Sequence, residues 1–251
     1  MIISHRHQFI YLKARKVAGT SVEVALAQHC GEGDIVTPVA AFDPDWDEEE
    51  YDHPGRKWEG YSRHATLVPV RRKLGRDLWD EYFKFSIVRN PWDLVVSQYH
   101  WATRSDDWRI YKGSVRASLR RFRTNPSRGW KNFKLLGESL VRTLLKMDVV
   151  PFEFFVKHML RLYKANNDPF YFDGTGAMGL DFLIRYENLG NDYASACERI
   201  GIPPSRLPAL KTKSRSERRH YSAYYYDRTR EIVAKAYPRH IEHFGYRFVE
   251  P

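Results

Sequence analysis

Apolar positions in this chain fall into two kinds of pattern. Short continuous runs of strand formers occur at Phe9 to Leu12, Phe83 to Val88 and Asp181 to Tyr186. Runs of that length, bounded by turn residues, predict buried strands. Longer stretches repeat apolar residues every three or four positions and predict helices. The first runs from about Thr20 to His29 and is stopped by Gly31-Glu32-Gly33. Leu67, Val70 and Leu74 share one face of a second, with Gly75 as its stop. The clearest helix follows the strand Phe83 to Val88. Asn90 is a good N-cap, Pro91 fits the first helical position and Asp93 the third. Trp92, Val95, Val96 and Tyr99 form its apolar stripe, while Asp93, Ser97 and His100 share another face. Helical patterns also cover Leu135 to Met147, Phe152 to Ala165, and the stretch from the third strand to about Ile200, which Gly201 and Pro203-Pro204 end. Alternating strands and helices predict a single α/β domain over residues 1–251, with a mainly parallel central sheet flanked by helices. Residues 34 to 63 read as irregular, and residues 104 to 180 as partly helical and the least readable part of the chain.

The stretch Phe9 to Leu26 organises the rest. A strand, Phe9-Ile10-Tyr11-Leu12, leads through a basic small-residue turn into a helix start at Ser21-Val22-Glu23. The turn holds Lys13, Arg15, Lys16, Ala18, Gly19, Thr20 and Ser21. Free N–H groups and the positive end of the helix dipole make such a turn an anion cradle. Gly19 lets the backbone approach a ligand. Thr20 and Ser21 can cap the helix and donate hydroxyls to phosphate oxygens. Lys16 adds a mobile charge. The order is not that of the standard P-loop, because the lysine comes three residues before the glycine.

A second anion site is predicted at the end of the Phe83 to Val88 strand. There Arg89 offers a fork for a phosphate, and Ser97 a hydroxyl roughly two turns along the helix. Strand ends of this kind are where ligands bind in open α/β sheets. His64 stands just before a helix start. For Arg89, Ser97 and His64 taken singly, a surface ion pair, a solvated helix position and a capping histidine are the competing readings.

Charge and composition narrow the partners. Forty-one Lys and Arg against 31 Asp and Glu give a formal net charge of +10, which suits an anionic ligand, polymer or membrane surface without choosing among them. Cys30 and Cys197 are far apart and match no metal spacing, so free thiols in a reducing, cytoplasmic setting are expected. No apolar stretch approaches a membrane span, and MIISHRHQ lacks a signal-peptide core. The acidic run from Asp43 to Asp52 and the basic block from Arg116 to Lys134 read as solvated faces.

Four segments carry a resemblance. Lys16-Val17-Ala18-Gly19-Thr20-Ser21 is similar to the K-x-x-G-T-S phosphosulfate loop of sulfotransferases that use 3′-phosphoadenosine-5′-phosphosulfate (PAPS). Arg89-Asn90-Pro91-Trp92-Asp93, with Ser97 and Tyr99 in register, resembles their 3′-phosphate motif. Arg185-Tyr186-Glu187-Asn188-Leu189 is similar to their R-x-E-x-L segment. His64-Ala65-Thr66 resembles the bacterial and carbohydrate-type branch, in which a histidine near this place is the base. The resemblance covers both ends and the core strands and leaves residues 104 to 180 largely unmatched; in the family this zone varies and builds the acceptor side, where the basic block from Arg116 to Lys134 could line the cleft of an anionic acceptor as readily as form a solvated face.

It implies a P-loop-like nucleotide-binding core of the sulfotransferase type, without a metal. It implies transfer of a sulfuryl group from PAPS to a hydroxylated acceptor, with a carbohydrate or an anionic compound as the candidates, and release of the 3′,5′-bisphosphate (PAP). Lys16 and His64 would be catalytic. Arg15, Lys16, Ala18, Gly19, Thr20, Ser21, Arg89, Ser97 and Tyr186, with Lys213 and Arg215 from a basic loop, would hold the nucleotide. An ordinary histidine pKa near 6.5 suits a base at neutral pH. Two rivals stay open. A kinase would need a magnesium carboxylate after a strand, whereas Asp181 starts one. A nucleic-acid binder fits the charge but leaves both motifs without a purpose.

Overall fold

The computed structural model describes residues 1–38, 59–103, 151–208 and 219–250. The acidic run, the basic block, the pattern at Leu135 to Met147, and Lys213 and Arg215 lie outside the described residues. The strands are β1 (Ile2–Ser4), β2 (Phe9–Leu12), β3 (Ile35–Val36), β4 (Phe83–Val88) and β5 (Phe182–Arg185). They form one sheet in the order β3-β1-β2-β4-β5.

The sheet is mixed rather than mainly parallel. β2, β4 and β5 run parallel, with Phe9 beside Phe83 and Phe85 beside Phe182. β1 is antiparallel to β2 and to β3. The connection from Ser4 to Phe9 is too short for a crossover, so β1 and β2 can pair only as a hairpin. Asp34 organises that hairpin and the turn before β3. It accepts from Ser4 Oγ at 3.0 Å and from the N–H groups of His5 at 2.6 Å, Arg6 at 3.1 Å and Gly31 at 2.9 Å. Burial pushes its carboxyl up, but these bonds win and hold it below the usual range. The stretch expected to be irregular therefore begins with an edge strand.

Helices cover the sheet. They are α1 (Gly19–Ala27), α2 (Leu67–Leu74), α3 (Arg76–Glu81) and α4 (Pro91–Thr103) in the first half. In the second half, α5 (Phe152–Phe154) passes through a π-helical turn (Phe155–Met159) into α6 (Leu160–Tyr163). There follow α7 (Asp168–Tyr171), α8 (Leu189–Arg199), α9 (Asp227–Ala236) and α10 (Pro238–Phe244). The α4 stripe of Trp92, Val95, Val96 and Tyr99 is buried, and Asp93, Ser97 and His100 are half-buried. Asn90 caps this helix, its Oδ1 accepting from the Trp92 N–H at 3.0 Å. Gln98 is buried as well and donates to the Tyr237 hydroxyl at 3.3 Å. Phe9, Tyr11, Phe85, Ile87 and Tyr171 fill the core.

The carboxyl ends of β2, β4 and β5 lie side by side. They deliver Lys13 to Ala18, Arg89 with Asn90, and Tyr186 with Glu187 to one edge of the sheet. Ser86 Oγ donates to the Leu12 carbonyl at 2.6 Å and ties two of these ends together. No helix among the described residues is long and apolar enough to cross a membrane. Both cysteines are buried free thiols.

Candidate active site

The loop between β2 and α1 is left-handed at two residues that are not glycine: Lys16 at φ 62° and Ala18 at φ 61°. Each costs about 1 kcal/mol or more and persists only where surrounding structure enforces it. Gly19 has another task. A Cβ there would meet Lys13 Cγ at 3.0 Å and the Ala14 carbonyl and Tyr11 hydroxyl at 3.2 Å, so any side chain would force these neighbours to give way, and glycine avoids the crowding. α1 begins at Gly19 with Ala18 in the N-cap position and no side-chain cap bond. Thr20 and Ser21 thus lie in the first turn and do not cap it, contrary to expectation. The N–H groups of Gly19 and Thr20 lie in the first turn, where the helix itself supplies no acceptor.

Lys13 is not a ligand cation. It is buried and paired with Glu23 of α1, which also takes the Met1 ammonium. Burial pushes the Glu23 carboxyl up, but the two cations prevail and hold it below its ordinary value. This buried cluster fastens the helix to the strand end beneath the loop.

Three side chains from distant segments grip the loop backbone. His64 Nδ1 donates to the Lys13 carbonyl at 2.8 Å. The Asn167 amide accepts from the Arg15 N–H at 3.1 Å and donates to the Arg15 carbonyl at 3.0 Å. Arg89 Nη1 donates to the Lys16 carbonyl at 2.9 Å. The expected phosphate fork of Arg89 is therefore engaged. Its Nε and Nη2 both reach Asp93 Oδ2 at 2.8 Å, and its Cζ stands 3.9 Å from the centre of the Tyr186 ring. Arg89 is 6% exposed, so it acts here as a buried brace between the cradle, α4 and the end of β5.

The Lys13 bond fixes the tautomer of His64. Nδ1 carries the proton, and Nε2 keeps the lone pair. The ring is half-buried, edge-on to Phe170 with centroids 6.4 Å apart. Burial first, and then the charges of Lys13 and Arg15, lower its pKa to about 4, against the Lys13 carbonyl bond, which favours the charged form. The ordinary value of 6.5 expected from the sequence does not hold. His100, which shares a helix face with Ser97, bonds the Tyr224 hydroxyl through Nε2 at 3.0 Å. Lys16 reaches across to α4, with Nζ 5.6 Å from the centre of the Trp101 ring. Trp101 is 48% exposed. Ser97 lies half-buried on the same helix.

Within the R-x-E-x-L segment, Glu187 is structural support. Glu187 accepts from the Asn90 N–H at 2.6 Å and from the Tyr246 hydroxyl at 3.0 Å. Asn90 Nδ2 donates to the Arg247 carbonyl at 3.1 Å, which joins the C-terminal stretch to the second motif. Asp181 sits at the opposite end of the sheet, where it accepts from the Lys84 N–H at 2.8 Å and pairs with Lys84 Nζ at 3.0 Å.

Asn167, Asp93 and Trp101 were not among the expected site residues. Asp93 and Trp101 carried a signal, since both stand within the second motif and its helix. Asn167 carried none, because it belongs to the unmatched region and meets the loop only through folding.

Three parallel strands thus deliver one gripped loop, with a helix start behind it, to their carboxyl edge, the place where open α/β sheets bind their ligands. The family follows from the whole chain: the profile described as "Sulfotransferase family" matches residues 1–247, and the chain belongs to that family. A protein of Archaeoglobus fulgidus described as uncharacterized is 28% identical over 134 residues, covering 53% of this chain and 80% of that protein. No solved structure matches the chain significantly.

Proposed function

We propose that the protein transfers the sulfuryl group of PAPS to an acceptor hydroxyl, with Lys16 and His64 as catalytic residues. One observation carries this reading: the candidate base His64 and the candidate 3′-site residue Arg89 bind carbonyls of the very loop that bears Lys16. Three motifs separated by dozens of residues meet on one short backbone segment.

The acceptor oxygen attacks sulfur as the bond to the 5′-phosphate oxygen breaks, in the manner of an in-line phosphoryl transfer. His64 Nε2 takes the hydroxyl proton. Lys16 neutralises charge growing on the leaving phosphate, and the Gly19 and Thr20 N–H groups face the anion. Arg15, Ala18 and Ser21 complete the cradle. Ser97, Tyr186, Lys213 and Arg215 are assigned to the nucleotide together with Arg89. PAPS already carries a good leaving group, so no metal is invoked. The acceptor we favour is a glycan or a related hydroxyl compound. Incubation with sulfur-labelled PAPS and a panel of sugars, phenols and alcohols tests the reading. Label should move to at least one acceptor, with one equivalent of PAP released. No transfer to any member, combined with no binding of PAP, would reject it.

The Arg89 brace sharpens one expectation. Arg89→Ala should weaken PAP binding by about 1.5–3 kcal/mol, the range for charged hydrogen bonds. Because the same guanidinium holds the Lys16 carbonyl, a 5′-monophosphate should also lose affinity, but less. Calorimetry with both nucleotides on both proteins measures the difference. Equal losses would confine Arg89 to the loop and remove it from the 3′ site.

A further inference from the structure

We infer that Asn167 is a positioning residue for the transfer, acting through the backbone of Arg15; its kinetic part rests on the sulfotransfer reading above. Asn167 is 0% exposed. It stands at the N-cap of α7, where an asparagine ordinarily bonds the first turn, yet its side chain makes no cap bond there. The amide instead serves both polar groups of one residue, taking the Arg15 N–H at 3.1 Å and giving to the Arg15 carbonyl at 3.0 Å. Arg15 lies beyond the end of β2, where the neighbouring strand no longer supplies partners. The Asn167 amide replaces that missing ladder.

The platform behind the amide is firm. Tyr171 of α7 is fully buried and donates to the Ile87 carbonyl of β4 at 2.8 Å. Asp168 lies 3.2 Å from Nδ1 of the buried His240. Phe170 packs edge-on to the His64 ring. One short helix thus backs both the loop and the histidine. Asn167 grips the residue between the His64 bond at Lys13 and the Arg89 bond at Lys16. Without it, the left-handed Lys16 loses its preceding anchor. A displacement of about 1 Å at a reacting group can cost as much as 10²-fold in rate.

The test uses the full chain with Asn167→Ala and, to keep the volume filled, Asn167→Leu. Hydrogen exchange at the Arg15 and Lys16 amides is followed in the unliganded protein, and kcat and KM are measured with PAPS and a working acceptor. Exchange at Arg15 should speed up at least about tenfold while β4 amides keep their protection. The turnover number per folded molecule should fall about 10–100-fold with acceptor KM within about threefold. Unchanged exchange in both variants would overturn the clamp, and unchanged kcat would reduce Asn167 to a structural residue. Should the wild type transfer no sulfuryl group, the sulfotransfer reading fails, while the exchange result still decides whether Asn167 holds the loop.

Discussion

His64→Ala should lower the turnover number by about 10²–10⁴-fold, the usual contribution of a general base, while PAP still binds. Because the same ring holds the Lys13 carbonyl, alanine removes a clamp together with a base. His64→Asn separates them: its amide can still donate to that carbonyl but offers no basic nitrogen. It should bind PAP as the wild type does and remain inactive. If His64→Asn keeps wild-type turnover while a variant at His100 loses it, the base has been misplaced. The pH profile follows from the surroundings. Burial and adjacent cations set the ring near pKa 4, so kcat/KM of the wild type should show no rising limb between about pH 6 and 8. Stability carries the complementary signature. The unfolded ring titrates at the ordinary 6.5 and the folded ring near 4, so unfolding takes up a proton between these values. The contribution of the neutral ring is complete above 6.5 and is lost as pH falls towards 4. Thermal melts at pH 7 and 4.5 should therefore differ less in His64→Ala than in the wild type.

Lys16→Ala should reduce the turnover number by at least about 10²-fold, because a charge placed where charge develops is worth roughly 2.7 kcal/mol or more. Nucleotide affinity should fall less, since the Gly19 and Thr20 N–H groups remain. The substitution leaves the backbone bond from Arg89 in place, as that bond uses the Lys16 carbonyl. Alanine at φ 62° is no more strained than lysine, so the effect belongs to the ammonium. Single-turnover rates at saturating donor measure it, and an unchanged rate would withdraw Lys16 from the mechanism.

The sequence made the central elements legible for physical reasons. Phe9 to Leu12 and Phe83 to Val88 are short, apolar and rich in strand formers, and both are strands. The Asn90-Pro91 helix start was readable because capping is local chemistry, and the stripe of α4 because its period is. Lys16, Arg89 and Tyr186, one residue from each of three motifs, do meet at one edge. β1 and β3 were missed because two or three residues carry no measurable period, and their pairing depends on a hairpin turn and on Asp34.

The sequence alone determined the order of strand, cradle, helix and second motif, since propensity, capping and spacing act between near neighbours. Only the tertiary structure decided what each polar side chain does there. Lys13 lies in the same basic turn as Lys16, yet Glu23 draws it into the core. Arg89 looked like an open fork, yet Asp93, Tyr186 and the Lys16 carbonyl engage it. His64 left its ordinary pKa because burial and neighbouring cations disfavour its charge. Asn167 found Arg15 across 152 residues. Burial, charge pairing and backbone satisfaction depend on what lies adjacent in space, and no local pattern along the chain encodes that.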